Sequence, residues 1–166
     1  MIVMGIDPGY AIMGYGIVER SSCGSLRTLD FGVLTTKAGD ELQFRLGQLY
    51  LGLCELIKKY KPDSIAVEEL FYHSNQKTVI PVAEARGLVL LAAEMSHIKA
   101  YEYTPLQVKM GVIGYGRAEK LQMIAMTQTL LGLKSPPKPD DAADALAIAI
   151  CHANTVGSAL RGFFNN

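Results

Sequence analysis

Six acidic side chains stand in places where acids are unexpected. The chain begins MIVMGIDPGY, and the apolar run of Ile2, Val3, Met4 and Ile6 ends on Asp7, before Pro8-Gly9. The stretch SIAVEEL at 64–70 ends a second apolar run on Glu68 and Glu69, and PDDAADALAIAI at 139–150 sets Asp140, Asp141 and Asp144 among alanines. Each has an ordinary explanation: Asp starts turns by bonding the backbone two residues on, and it caps helices. Gathered at one place, however, carboxylates repel one another unless they are protonated or hold a cation. An all-oxygen set without His or Cys suits Mg²⁺ or Mn²⁺. Two such ions about 4 Å apart can activate water and stabilise the leaving oxygen in phosphodiester cleavage.

The elements that carry these acids decide which can meet. Asp7 would close a strand buried on both faces. In SIAVEEL, side chains alternate across the strand, so Glu68 points with the small Ala66 and away from Ile65 and Val67. Asp141 and Asp144 are spaced i, i+3, on one face near the positive end of a helix that Pro139 starts. Asp140 or Asp141 also suits its cap or first turn. Ala142, Ala143, Ala145 and Ala147 would let that helix come close to a neighbour.

Three strands come first, at Met1–Asp7, 14–20 and about Arg27–Thr36, and their short links predict an antiparallel meander. From Glu41 to Tyr60 the apolar period lengthens: Leu42, Leu46, Leu49, Leu53, Leu56, Ile57 and Tyr60 mark an amphipathic helix ended by Lys61-Pro62-Asp63. SIAVEEL is a fourth strand, Gln76–Ser96 a second helix, and a short strand lies near HIKAYEY at 97–103. The rest reads as helical pieces broken at Gly114-Tyr115-Gly116 and at SPPKP, 135–139. The order is that of a mixed α/β fold. The 76–96 helix is apolar around nearly its whole circumference, which means burial within the domain or, the reading we prefer, against a second copy of the chain.

At 166 residues, 49% apolar and 19% charged, the chain has the length and composition of one globular domain. No basic segment precedes the first strand as in a signal peptide, and apolar runs such as VLLAA at 89–93 are too short to span a bilayer. No membrane role and a cytoplasmic location are expected. Cys23, Cys54 and Cys151 lack any CxxC or HxxxH pattern and read as free thiols of a reducing compartment rather than zinc ligands. Net charge is zero, yet Lys109, Arg117, Lys120, Lys134 and Lys138 face only Glu119 within 104–138. Such segregation describes a basic surface beside an acidic site, or lysine collected at loops and helix ends.

GIDPG followed by GYG, then AVEELF, then VK with GYGRAEK, and finally DDAADALAIAI together resemble the RuvC family of bacterial Holliday-junction resolvases, from the first strand to about residue 153. The resemblance implies a ribonuclease H-like fold: a mixed five-stranded sheet, antiparallel meander plus parallel crossover strands, flanked by helices. It implies a nuclease domain over 1–156 with a tail at 157–166, and a homodimer, which we place on the 76–96 helix. It implies four catalytic, metal-holding carboxylates at Asp7, Glu68, Asp141 and Asp144, for two Mg²⁺ per subunit with Mn²⁺ as a substitute. Lys109 and Lys120 match the assisting lysines. Phe71 matches an aromatic that stacks on bases of the opened junction, a use open to any aromatic against an unpaired base; Tyr72, Lys77, Arg86 and Arg117 are further candidate DNA contacts. The implied activity is paired, symmetric nicking of four-way DNA junctions in recombination and repair, leaving 5′-phosphate ends, with a branch-migration helicase as partner. One departure is Tyr10-Ala11-Ile12-Met13, where the family carries Ser, Arg or Thr.

Three rival readings differ in what they need. Another ribonuclease H-like nuclease, acting on RNA or related to the YqgF family, would share the carboxylates. An actin-like or sugar-kinase ATP site built on GIDPG needs a second phosphate loop and more chain. A junction-binding protein without catalysis has no use for a complete acidic set.

Overall fold

A computed structural model describes residues 1–69 and 79–157. The first strand, β1 (Ile2–Asp7), pairs antiparallel with β2 (Ile12–Arg20), which pairs antiparallel with β3 (Leu26–Thr35). Helix α1 (Leu42–Tyr60) crosses to β4 (Ser64–Glu68), which lies parallel to β1; α2 (Val79–Met95) crosses to β5 (Lys99–Tyr103), parallel to β4. The sheet order is β3-β2-β1-β4-β5, the expected meander joined to two crossover strands. Three more helices follow among the described residues: α3 (Pro105–Ile113), α4 (Lys120–Leu130) and α5 (Asp140–Gly157). No helix among the described residues is long and apolar enough to cross a membrane.

Alternation along the strands builds two cores. Met4 and Ile6 of β1, with Ile65 and Val67 of β4, pack against α1 and α2. Val3 and Ala66 face the other way, into the layer of α3, α4 and α5. Because side chains repeat with period two, Asp7 falls on the Val3 side and Glu68 on the Ala66 side. Both acids therefore emerge toward α5, as the alternation in SIAVEEL predicts for Glu68, while Glu69 lies past the strand end and is exposed.

Local chemistry sets the boundaries. Leu49, Leu53 and Ile57 are the buried stripe of α1, which stops at Lys61 in a left-handed conformation (φ 46°) whose N–H bonds the Ile57 carbonyl. Asp63 then locks β4 beside β1: its Oδ2 accepts from Ile2 N–H at 2.6 Å, and its own N–H donates to Ile2 O at 2.8 Å. A capping box of Thr104 and Gln107, with Pro105 at the first helical position, starts α3. Gly114, at φ 94°, ends it, so Gly114-Tyr115-Gly116 contains a helix stop.

The second helix departs from burial within one chain. Ala85, Val89, Ala92 and Ala93 are buried, but Ile80 is 69% and Met95 66% exposed, with Leu91 also open to solvent. Leu91 and Met95 are about one helical turn apart and Ile80 about three turns before Leu91, all on one stripe. Phe44 and Leu51 of α1 are exposed apolar groups as well.

Candidate active site

The catalytic geometry begins with what is missing from β1 and β2. A Cβ on Gly5 would stand 2.1 Å from the Ala145 carbonyl oxygen, one on Gly14 2.0 Å from that of Asp141, and one on Gly16 2.8 Å from Leu146 N. Helix α5 thus rests on strand backbone with no side chain between, and Ala142, Ala145 and Ala149 keep its own side of the seam equally low. Ala142 N–H and Ala143 N–H both bond the Pro139 carbonyl, so the helix starts at Pro139, with Asp140 and Asp141 in its first turn rather than outside it. Asp140 is exposed; Asp141 and Asp144 are half-buried.

Asp7, Glu68, Asp141 and Asp144 come within electrostatic reach of one another. Burial, then repulsion from Glu68, Asp144 and Asp141, pushes the Asp7 carboxyl up to about 7, with Lys120 opposing. Burial and Asp144 also raise Glu68. Asp144 is raised by burial against the pull of Lys120, whose ammonium donates to Asp144 Oδ2. Burial works to lower Lys120, but its bond to Asp144 and the charges of Asp144, Asp140 and Asp7 outweigh it and hold the ammonium above its ordinary value.

A cleft of about 170 Å³ opens on this cluster, lined by Glu68, Lys109, Lys120 and Asp144 over a floor that includes Val108, Met123 and Ala147. Lys109 comes from the middle of α3, and Lys120 from the first turn of α4. Lys109 and Lys120 therefore line the same cleft as Glu68 and Asp144, and Lys120 is paired with Asp144. Arg117 is exposed on the segment leading to α4. Arg86 is elsewhere: it sits on α2, behind the sheet, with its guanidinium paired to Glu102 of β5. Phe71, Tyr72, His73 and Lys77 lie outside the described residues.

The donor set fits a hard divalent cation. It contains only carboxylate oxygens, and the raised Asp7, Glu68 and Asp144 are groups that a nearby cation would return to their charged form. Among the described residues no three acids are grouped so as to hold a metal ion as they stand, and Lys120 is paired with Asp144. Sequence reasoning missed two positioning features. The glycine seam is one. The other is Arg45, a buried helix residue that grips the turn after Asp7: its Nε donates to Thr36 Oγ1 at 2.8 Å, its Nη2 reaches Tyr10 O at 3.4 Å, and Thr36 Oγ1 donates to Tyr10 O at 2.8 Å. The guanidinium also lies 4.6 Å from the centre of the Tyr10 ring. Tyr10, the departure from the family pattern, is thus used structurally. The cysteines are free thiols, as expected.

Residues 3–152 match the family model described as "Crossover junction endodeoxyribonuclease RuvC". The protein of that name from Caldanaerobacter subterraneus subsp. tengcongensis is 54% identical over 155 residues, 93% of each chain. Among solved structures, Thermus thermophilus RuvC superimposes with a TM-score of 0.87 at 35% identity, covering 99% of this chain and 98% of that one. The T. thermophilus RuvC solved in complex with Holliday junction substrate gives 0.85 at 33% identity, covering 94% and 95%. With a ribonuclease H-like sheet, a glycine seam that brings the first strand's acid to the last helix's pair, and this likeness over nearly its full length, the chain belongs to the RuvC family of crossover junction endodeoxyribonucleases.

Proposed function

We propose that this chain resolves four-way DNA junctions, and that Asp7, Glu68, Asp141 and Asp144 form the centre at which the strand is cut. The observation that carries the reading is the raised carboxyl cluster: Asp7, Glu68 and Asp144 are partly buried against their own repulsion, and Glu68 and Asp144 line a cleft with two lysines on its wall. A cation explains it.

Mg²⁺, or Mn²⁺ in its place, would be held by those four acids and would supply charge neutralisation at phosphorus and an activated water. Asp7 and Glu68, fixed to strand ends, hold their oxygens in place through the backbone. Asp144 would be free to hold the ion if phosphate drew the Lys120 ammonium away from it. Lys120 and Lys109 then bind phosphate oxygens and offset the negative charge that builds in the transition state. Leaving a 5′-phosphate and a 3′-hydroxyl requires the attack to come opposite the 3′ oxygen.

Two symmetric cuts need two such sites related by a two-fold axis. The stripe of Ile80, Leu91 and Met95 on α2 supports a homodimer through that helix. Gly87 lies on the same stripe, with open space where a Cβ would stand, so a partner backbone can come close. A branch-migration helicase as partner, one nuclease domain over 1–156 and a cytoplasmic location belong to the same reading.

The test is cleavage of a labelled four-way junction with a movable core, with Mg²⁺ and with EDTA. Asp7→Asn is expected to bind the junction as wild type does and to cut at least about a thousandfold more slowly. Cutting by pure Asp7→Asn at the wild-type rate would remove Asp7 from the centre.

A further inference from the structure

Beside the acidic cleft lies a second recess, of about 220 Å³, lined by Pro105, Leu106, Lys109 and Gly116. The two hollows share Pro105 and Lys109. Lys109 therefore separates an acidic, phosphate-binding space from one whose other walls carry no charge. A strand whose phosphate lies in the first has its neighbouring nucleotide beside the second.

The surroundings match one class of occupant. Leu106 is 59% exposed and Leu121 77%, and Met110 and Tyr115 are exposed as well. A single surface leucine needs no explanation, but four large apolar groups within 106–121 do. The same segment carries Lys109, Arg117 and Lys120. Apolar surface edged with cations is the complement of a nucleotide, which sets an apolar base face beside an anionic phosphate.

The recess is also built in advance. The capping box of Thr104 and Gln107 fixes the start of α3, and the stop at Gly114 fixes where the chain leaves it. A Cβ on Gly116 would stand 2.2 Å from Leu106 Cδ1, so the tip of Leu106 takes the place a side chain at residue 116 would fill, and a methyl there would displace that tip. A preformed hollow does not spend binding energy on ordering itself.

We propose that this recess receives an unstacked nucleobase of the strand being cut, next to the phosphate under attack. Bases at a strand crossing are the cheapest to unstack, because their stacking is already interrupted. Leu106 contacts the base, Gly116 makes room for the Leu106 tip beside it, and the Lys109 stem passes between base and phosphate. This rests on the cleft being the cutting site, and it gives the enzyme a way to favour some bases beside the cut over others.

The experiment is a cycle on the full chain. Junctions lacking the base on one or the other side of the cut phosphate are compared with intact junctions, using wild type, Leu106→Ala and Gly116→Ala. With wild type, removing the base at one of the two positions is expected to slow cutting about tenfold. Leu106→Ala is expected to slow the intact junction by a similar factor and to lose nothing further on the abasic one, since both changes remove one contact. Gly116→Ala, which forces the mobile tip of Leu106 into the recess, is expected to repeat that pattern and serves should Leu106→Ala fold poorly. Factors that simply multiply at both positions, or base removal that slows nothing, would overturn the proposal while leaving a cutting wild type intact as a nuclease. A wild type that cuts no junction would overturn the cutting site and the recess together.

Discussion

The carbonyl oxygen of Asp141 lies 2.0 Å from where a Cβ on Gly14 would stand, and Gly14 is the cross-strand partner of Asp7. One methyl group at residue 14 would therefore push the last helix away from the strand whose acid it must meet. Gly14→Ala is expected to lower stability by about 1–3 kcal/mol through overpacking. Cutting should fall at least roughly a hundredfold, because about 1 Å of displacement at a catalytic group costs that much. Gly47→Ala, where the added methyl meets open space on α1, is the control and should be neutral or slightly stabilising. Thermal melts and junction cleavage on both variants check this.

Asp7 should make the metal-free protein less stable as pH rises. Its carboxyl titrates near 7 when folded, against an ordinary value of 3.8, so between those limits the folded chain holds a proton that the unfolded chain has lost. The favourable contribution is complete below 3.8 and gone once pH has passed about 7. Asp7→Asn removes that slope and raises the melting temperature at pH 8 in EDTA. Adding Mg²⁺ should stabilise wild type more than the variant. Identical pH profiles for the two proteins would show that Asp7 does not carry the strain.

His152 acts in the opposite sense. It is buried on α5 with Nδ1 2.7 Å from the Tyr103 hydroxyl, and burial lowers its titration to about 4 from the usual 6.5. Stability from this group is complete above 6.5 and is lost as pH falls to about 4, with a slope of up to about 1.4 kcal/mol per pH unit. His152→Asn, which can keep a partner for Tyr103, should flatten that part of the curve in denaturant titrations.

The two lysines should separate by assay. Lys120→Ala removes the cation that neutralises Asp144, so it is expected to reduce cutting by about 10²–10³ at saturating junction. Lys109→Ala should mainly weaken junction binding and reduce its slope against log salt by about 1. Binding measured at several salt concentrations beside single-turnover cleavage distinguishes these outcomes.

Leu91→Glu places a charge on the exposed stripe of α2 and is expected to shift the protein from dimer to monomer in sedimentation. Junctions should then be nicked on one strand at a time. A variant that still sediments as wild type would move the dimer contact off this helix.

What the sequence made legible follows from how local each signal is. Alternation in SIAVEEL chose Glu68 over Glu69, and it holds because a strand's faces are set by period two whatever lies beside it. The i, i+3 pair of Asp141 and Asp144 is equally local. The glycine seam was not legible: GYG at 14–16 is an ordinary strand interruption until one knows that a helix starting 125 residues later returns to lie on it. Arg45 escaped for a related reason, since an arginine on an amphipathic helix reads as solvated until its partners at Thr36 and Tyr10 are in place. The all-apolar character of the 76–96 helix flagged an unusual element, but the single chain covers only one side of it.

Because Gly5, Gly14 and Gly16 leave no room for side chains of their own, Asp7 and the pair Asp141 and Asp144 meet only when α5 has docked. During synthesis, a ribosome-bound chain that stops short of Pro139 carries Asp7 and Glu68 but neither Asp141 nor Asp144. Such a nascent or truncated product has the glycine seat on β1 and β2 but not the helix that fills it. Chain order alone thus delays assembly of the acidic cluster until α5 has been made and docked.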